Sequence, residues 1–361
     1  MTEHVRKKRL TYRDAGVDMD TKDAAIDEVA KLAQKTYGPH VLSGVGGFGG
    51  LFALNGSVGL FGRRYRDPVL VACTDGVGTK LKIAFAMGKH DTVGIDLVAM
   101  NVNDLIAMGA DPLFFLDYFA SGKVESHVLL DVVKGITEGC KQSGMALLGG
   151  ETAELPDMYA PGEYDLAGFC VGMMEKAKTF DPGKIHPGDA VIGVASSGLH
   201  SNGYSLARKA LLEVGGLSLK ETPEGLDAPL GEVMLRPTRI YVKAVSAVLR
   251  RYKVKEVVKG IAHITGGALI ENIPRVIPNK VDVVIEKTKL KPQPIFELIR
   301  KVADVPEDEM YRVFNMGTGL VIIVSSYYAS AIVRTLNSKK VGEKAWIIGR
   351  IEEGQGKVRL V

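Results

Sequence analysis

The period of the apolar positions changes repeatedly along this chain, and each change marks an element. Over residues 20–36, Ala25, Ile26, Val29, Ala30 and Ala33 recur at helical spacing behind Asp20, a suitable cap, which predicts a helix. From Ser43 to Gly62 the period is lost in a glycine-rich, strand-poor stretch. Short apolar runs then alternate with helical ones: strand 68–73, helices 77–88 and 92–108, strand 112–119, helix 125–142, and strands 145–149 and 164–175. DPGKIHPGD at 181–189, dense in proline and glycine, breaks the pattern as a domain boundary does. The alternation then restarts with strand 190–195, helices 201–213 and 238–251, strand 281–286, helix 294–303, and strands 320–325 and 345–351. No short-period repeat is present. The pattern predicts an α/β (α+β) fold of two mixed-sheet domains, each with helices on one face. Its expected divisions are an N-terminal helix and glycine-rich flap over 1–60, a first domain over 61–177 and a second over 178–361.

Composition removes whole classes of function. The 361 residues carry 46 Lys plus Arg against 42 Asp plus Glu, and a net charge of +4 is too small to make nucleic acid the expected partner. No apolar stretch approaches the roughly 18–20 residues of a membrane span. The basic cluster Arg6–Arg9 lacks a following apolar segment, so it reads as a solvated tail rather than a secretory signal. Cys73, Cys140 and Cys170 show neither CxxC spacing nor an even-numbered framework, and the expected compartment is the cytoplasm. Glycine is in excess, at 42 residues, and its clusters lead to the chemistry.

GVGGFG at 44–49 satisfies GxGxxG, but neither a buried strand before it nor a helix after it supplies the dinucleotide-binding context. Gly46, Gly47 and Gly49 read either as a flap whose backbone amides close over phosphates or as a plain surface loop. DGVGTK at 75–80 follows an apolar strand and opens a helix, so Gly76, Gly78, Thr79 and Lys80 can meet a phosphate there. Asp75, at the strand end, can reach a metal riding on that phosphate. The bland alternative is an ordinary capped turn. GxxxxGK[ST] is absent, so this is not a P-loop.

Charge is distributed unevenly. Between His90 and Lys123 stand Asp91, Asp96, Asp104, Asp111 and Asp117 with no Lys or Arg, and Lys141–Lys176 encloses six further acids without a base. The helix GIDLVAMNVNDLIAMGA is otherwise largely apolar, and Asp96 and Asn103 lie two turns apart, about 10 Å along one face. A carboxylate desolvated there needs a compensating charge. With no base nearby in sequence, a divalent cation is expected, and all-oxygen ligands favour Mg²⁺ over Zn²⁺. GGETAE at 149–154 places Glu151 at an expected strand end. The candidate ligands are Asp75, Asp96 and Glu151, then Asp104, with Asn103 beside them on the phosphate side. Most of the remaining acids read as solvated or turn residues.

In the second domain VIGVASSGLHSNGYS at 191–205 reads as strand, loop and helix start. Ser196, Ser197, Ser201 and Asn202 offer donors to an anion, and His200 among them reads either as an exposed loop histidine or as a proton-transfer or phosphate-binding group. No GxSxG elbow supports a serine nucleophile. HITGG at 263–267 and NMGTG at 315–319 read as turns.

Taken in order, these motifs resemble the phosphoribosylformylglycinamidine cyclo-ligase (aminoimidazole ribonucleotide synthetase) family. YRDAGVDMD at 12–20, DGVGTKLK at 75–82, GIDLVAMNVNDL at 94–105, PLFFLDYFASG at 112–122, GGETAELPDMY at 149–159, SSGLHSNGYSLARK at 196–209 and HITGGALIENIPRV at 263–276 carry the resemblance, which runs from Tyr12 to about Arg350. Leu199 and Met316 stand where family members often carry Pro and Cys. The resemblance implies ATP-dependent closure of formylglycinamidine ribonucleotide to 5-aminoimidazole ribonucleotide, with ADP and phosphate released by way of an imidoyl phosphate. It also implies ATP and Mg²⁺ as cofactors, Asp75, Lys80 and His200 in catalysis, and Ser197, Ser201 and Asn202 on the substrate. A homodimer whose first domains share a β-barrel is implied as well, with neither nucleic acid nor membrane as partner. Alternatives are another ATP-using member of the same superfamily and a non-catalytic nucleotide sensor.

Overall fold

The computed structural model describes residues 19–43, 50–54, 65–252 and 255–361. The expected flap at Gly46, Gly47 and Gly49 and the basic Arg6–Arg9 lie outside the described residues. In the first half come α1 (Met19–Gln34), a ribbon of β1 (Val41–Ser43) and β2 (Leu51–Phe52), β3 (Pro68–Gly76), α2 (Leu81–Met87) and α3 (Val93–Ala107). These are followed by β4 (Asp111–Ser121), α4 (Ser126–Ser143), β5 (Ala146–Glu154) and β6 (Tyr164–Glu175). Four strands form one sheet in the order β3-β6-β4-β5. Only β4 and β5 run parallel, joined by the crossover helix such a pair requires.

Alternation along β4 sorts the sheet's two faces. Phe115 and Phe119 point inward and are buried with Leu166 and Cys170 of β6 against Leu97, Val98 and Leu105 of α3 and Val132 and Ile136 of α4. Helices α3 and α4 touch backbone to backbone, because a Cβ on Gly94 would collide with Val132 O and Ile136 N. The opposite face presents Phe114, Leu116 and Tyr118 in register with Val171, Phe169 and Ala167. Phe52 of the β1–β2 ribbon packs on Phe114, with ring centroids 5.4 Å apart.

The second half contains β7 (Ala190–Ala195), α5 (Tyr204–Arg208) continuing into a π-helical turn (Lys209–Val214), α6 (Leu230–Met234), α7 (Val242–Arg251), β8 (Val258–His263), α8 (Ala268–Asn272) and β9 (Val281–Ile285). Then follow α9 (Pro294–Val302), α10 (Glu307–Val313), β10 (Thr318–Val324), α11 (Ser326–Leu336), β11 (Ala345–Glu353) and β12 (Val358–Leu360). Its sheet runs β12-β9-β11-β7-β10-β8, with β12 alone parallel to its neighbour. The apolar runs of β7 and β10 are buried on both faces, as such runs predict, and β9 is buried likewise although it carries Asp282. Ile192, Val194, Leu320 and Ile322 join the main core, while Val191, Val321, Ile323 and Val283 pack with Leu269 and Ile273 on the other side.

The mixed α/β architecture with two sheet-bearing domains is therefore the one the pattern predicts. Several boundaries differ for physical reasons. Strand β5 continues to Glu154 because β4 pairs with it as far as Ser121, so Glu151 lies within a strand and not at its end. The expected helix over 201–213 starts only at Tyr204, after Gly203 at a φ of 75°. The one expected over 238–251 starts at Val242, because Thr238 and Tyr241 bond instead to α3.

Candidate functional site

Helix α3 is the wall between the two domains, and its polar residues are the centre of the site. Asp96, Asn103 and Lys80 are all 0% exposed. The expected compensation for Asp96 was a metal, since its sequence neighbourhood has no base. The structure supplies Lys80, 16 residues upstream, whose ammonium lies 2.8 Å from both carboxylate oxygens. Asp96 Oδ1 also accepts from Thr238 N at 2.7 Å, Thr238 Oγ1 at 2.6 Å and Ser201 Oγ at 3.1 Å. Lys80 is correspondingly not a surface donor for a phosphate; burial lowers its pKa against the opposing pull of Asp96. Asn103 is committed as well: its amide donates to Arg239 O at 2.8 Å and its oxygen accepts from Tyr241 N at 3.0 Å.

Beyond this knot the site opens. Asp104 is half exposed and bonds through Oδ1 to His263 Nδ1 at 2.8 Å, and Asn103 Nδ2 lies 3.4 Å from the other ring nitrogen. The pKa of Asp75 is raised by burial first and by the Asp104 charge after it, with His263 and the Gly76 N–H acting the other way. Asp75, Asp104 and His263 therefore share one electrostatic neighbourhood. Beside it the Gly76–Thr79 turn has Gly78 at a φ of 69° with open space around it, and Thr79 is exposed, 3.3 Å from Ser205 Oγ across the domain boundary.

Glu151 does not join them. It stands opposite Tyr118 in register, on the face away from α3, and β5 is three strands from β3, about 14 Å at the usual strand spacing. Among the described residues no group of three or more His, Cys, Asp or Glu side chains is placed to hold a metal ion. The expected Mg²⁺ cage of Asp75, Asp96, Glu151 and Asp104 is thus not assembled by these residues of one chain: one member is neutralised by Lys80 and another is across the sheet.

The loop 196–203 meets α3 from the second domain. Three of its expected donors are already spent, Ser196 Oγ on Gln293 Oε1 at 3.3 Å, Ser197 Oγ on Pro237 O at 2.6 Å and Ser201 Oγ on Asp96. Asn202 keeps only a long 3.9 Å contact to Met100 Sδ. His200 is neither exposed nor simply packed: it is 1% exposed, and its φ of 64° is left-handed. Burial, reinforced by His263, Lys80 and Arg239, drives its pKa well below the usual histidine value, so the ring is neutral. Ser197 N donates to Nε2 at 3.1 Å, which places the ring proton on Nδ1. That N–H is buried without a partner among the described residues.

The motif reading missed His263, Thr238 and Tyr241. HITGG ends a strand, and the strand end was the available signal for His263; Thr238 and Tyr241 carry none in sequence, since Tyr241 meets α3 through its backbone amide and Thr238 through its amide and a hydroxyl that no local motif marks.

The comparisons with known proteins bear on this geometry. Residues 63–174 match the family described as AIR synthase related protein, N-terminal domain, and residues 186–361 match its C-terminal domain. The phosphoribosylformylglycinamidine cyclo-ligase of Myxococcus xanthus strain DK1622 is 53% identical over 351 residues, 97% of this chain and 98% of that protein. That of Thermoanaerobacter pseudethanolicus is 52% identical over 97% of this chain and all of its own length. The chain belongs to the phosphoribosylformylglycinamidine cyclo-ligase family. It is accordingly an enzyme, a cyclo-ligase of the C–N bond-forming kind. Solved structures of the same fold include thiamine-monophosphate kinase from Stenotrophomonas maltophilia K279a, with a TM-score of 0.66, 18% identity and coverage of 93% of this chain and 95% of that one. Hydrogenase maturation protein HypE in complex with ATP has a TM-score of 0.65 and 15% identity, covering 96% and 93%. No described helix of this cyclo-ligase is long and apolar enough to cross a membrane.

Proposed function

We propose that the chain converts formylglycinamidine ribonucleotide to 5-aminoimidazole ribonucleotide, with ATP becoming ADP and phosphate, as a step of purine biosynthesis in the cytoplasm. The observation that carries this reading is identity above one half, over nearly the whole chain, with relatives bearing the cyclo-ligase name. ATP as the co-substrate is supported by the HypE fold, solved with ATP bound.

The chemistry needs activation, because a formyl oxygen is a poor leaving group. That oxygen attacks the γ-phosphorus, ADP departs and the formamide N–H proton is released to solvent, leaving an imidoyl phosphate. The amidine nitrogen then bonds to the imidoyl carbon, the C–O bond breaks, and the nitrogen's proton leaves with the phosphate. Such transfer is mainly positioning and charge stabilisation. In this scheme the nucleotide meets the Asp75–Thr79 turn, and its Mg²⁺ arrives on its own phosphates rather than in a cage of this chain's carboxylates. The substrate lies against loop 196–203 and Asn202. The unpartnered Nδ1–H of His200 suits a donor to a phosphoryl oxygen, and the buried, neutral ring favours that role over an imidazolium. A colour assay for diazotisable amine should develop only when ATP and formylglycinamidine ribonucleotide are both present. ADP release with no coloured product would identify a phosphoryl transferase instead.

A homodimer belongs to the same proposal. Leu70 is 58% and Phe169 43% exposed on the first sheet's open face, beside Leu116 and Val171. An apolar face of this kind is usually covered by a partner, and a second copy paired about a two-fold would cover it. Sedimentation at micromolar concentration should give twice the 38.8 kDa chain mass, and a single 38.8 kDa species would sink the idea.

A further inference from the structure

Lys80 belongs to a motif whose expected task is to meet a phosphate, yet its ammonium is enclosed on every side. An ammonium has three donors and no acceptor. One goes to Asp96 in the same domain; the others go to carbonyls of the second domain, His200 O at 3.0 Å and Arg236 O at 2.7 Å. Asp96 grips the same two segments through Ser201 and Thr238. One buried ion pair of the first domain therefore holds two loops of the second, 196–203 and 236–239, neither of which pairs as a strand with the first sheet.

We infer that the Lys80–Asp96 pair is a positioning device that pins the substrate-side loop to α3 and so fixes its distance from the nucleotide-side turn, with Lys80 touching no phosphate. A buried ion pair is seldom retained for stability alone, since apolar residues of similar size often serve as well. Here both members also make cross-domain bonds, Lys80 to two carbonyls and Asp96 Oδ1 to Ser201 and Thr238, and an apolar pair would make none of them. The left-handed backbone of His200 points the same way: a non-glycine residue persists there only where its surroundings hold it, and Lys80 bonds to that residue's carbonyl. The catalytic consequence rests on the cyclo-ligase reading; the pinning does not.

Hydrogen–deuterium exchange and steady-state kinetics on the full chain separate the possibilities, using Lys80→Met, Asp96→Asn, the double variant and Thr238→Val. Exchange over 196–203 and 236–239 should accelerate by about tenfold or more in Lys80→Met and by less in Thr238→Val, with β6 and β7 unchanged. The kcat should fall by about tenfold or more while the KM for ATP stays within about twofold. The double variant should lose less than the product of the single losses, because each single change leaves a buried charge unpaired. A Lys80→Met enzyme with a strongly raised KM for ATP and unaltered loop exchange would make Lys80 a phosphate ligand and overturn the inference. Should Lys80→Met not fold, Thr238→Val removes only one hydroxyl, and unaltered exchange in both loops there would overturn it equally. Exchange reads the pin without turnover, so a wild-type chain that closes no ring would defeat the functional reading alone.

Discussion

His200→Ala is expected to lower kcat on the order of 10²–10³-fold, the loss typical of removing one donor aimed at developing charge. The expectation follows from the proton's place. Ser197 N occupies Nε2, so the ring proton sits on Nδ1, and that N–H has no partner among the described residues. A buried unmet donor costs about 1–3 kcal/mol, which an incoming phosphoryl oxygen would recover. His200→Asn distinguishes a donor from a proton acceptor. An asparagine amide can stand near the Nδ1 position and tolerates the left-handed φ of 64°, so it should restore a measurable part of the activity lost in the alanine variant. A general base would not be rescued in this way. The sign of the pH dependence follows as well. Because burial holds the His200 pKa well below its ordinary value, the ring is neutral at neutral pH, and kcat should show no ionisation near the ordinary histidine range that disappears in His200→Asn. A limb between pH 6 and 7 in the wild type, absent from that variant, would return His200 to acid–base work.

How much of this was legible beforehand depends on the range of each interaction. Strands β6 and β7 follow from their local apolar runs, and both have the limits the pattern predicts, 164–175 and 190–195. The need of Asp96 for a compensating charge was equally local, since an acid in an apolar helix must be paired. The identity of the partner was not, because Lys80 arrives from 16 residues upstream through the turn before α2. A window holding no base predicts a metal, whereas the fold brings a base in from outside that window. Glu151 failed for a related reason: two glycines after an apolar run look like a strand end, but β4 extends far enough to keep β5 paired through them. His200 shows the opposite case. The residue type and its setting among Ser197, Ser201 and Asn202 drew attention to the right loop, while burial, tautomer and backbone conformation are properties of the packed state. His263 escaped because its interest lies in Asp104, 159 residues earlier in the chain.

Asp117→Asn should stabilise the protein above pH 7 and leave it nearly unchanged at pH 4. Asp117 lies on β4 between Phe115 and Phe119, on the face that packs against the helices, and its charge is felt by the buried Cys140 thiol of α4. No described side chain pairs with it, and desolvation pushes its pKa up to about 7, its own backbone N–H opposing only in part. The direction of the effect is fixed by linkage. Below about pH 4 the carboxyl is protonated in folded and unfolded chains alike, and the difference vanishes. Between about pH 4 and 7 the folded state must keep a proton the unfolded chain has released, so stability falls with rising pH by up to about 1.4 kcal/mol per unit. Above about 7 the carboxylate is charged in both states and the penalty is constant. Because the side chain is only partly enclosed, the penalty at pH 8 is on the order of 2–3 kcal/mol, less than the full linkage would give. Asparagine has nearly the same shape and no charge to desolvate, so urea unfolding at pH 8 should show the variant more stable by about that amount, with the gap closing as pH falls to 4. Equal stability of the two proteins at pH 8 would mean that the Asp117 carboxylate is hydrated or paired in solution, and that the sheet's helix-facing side admits water at its centre.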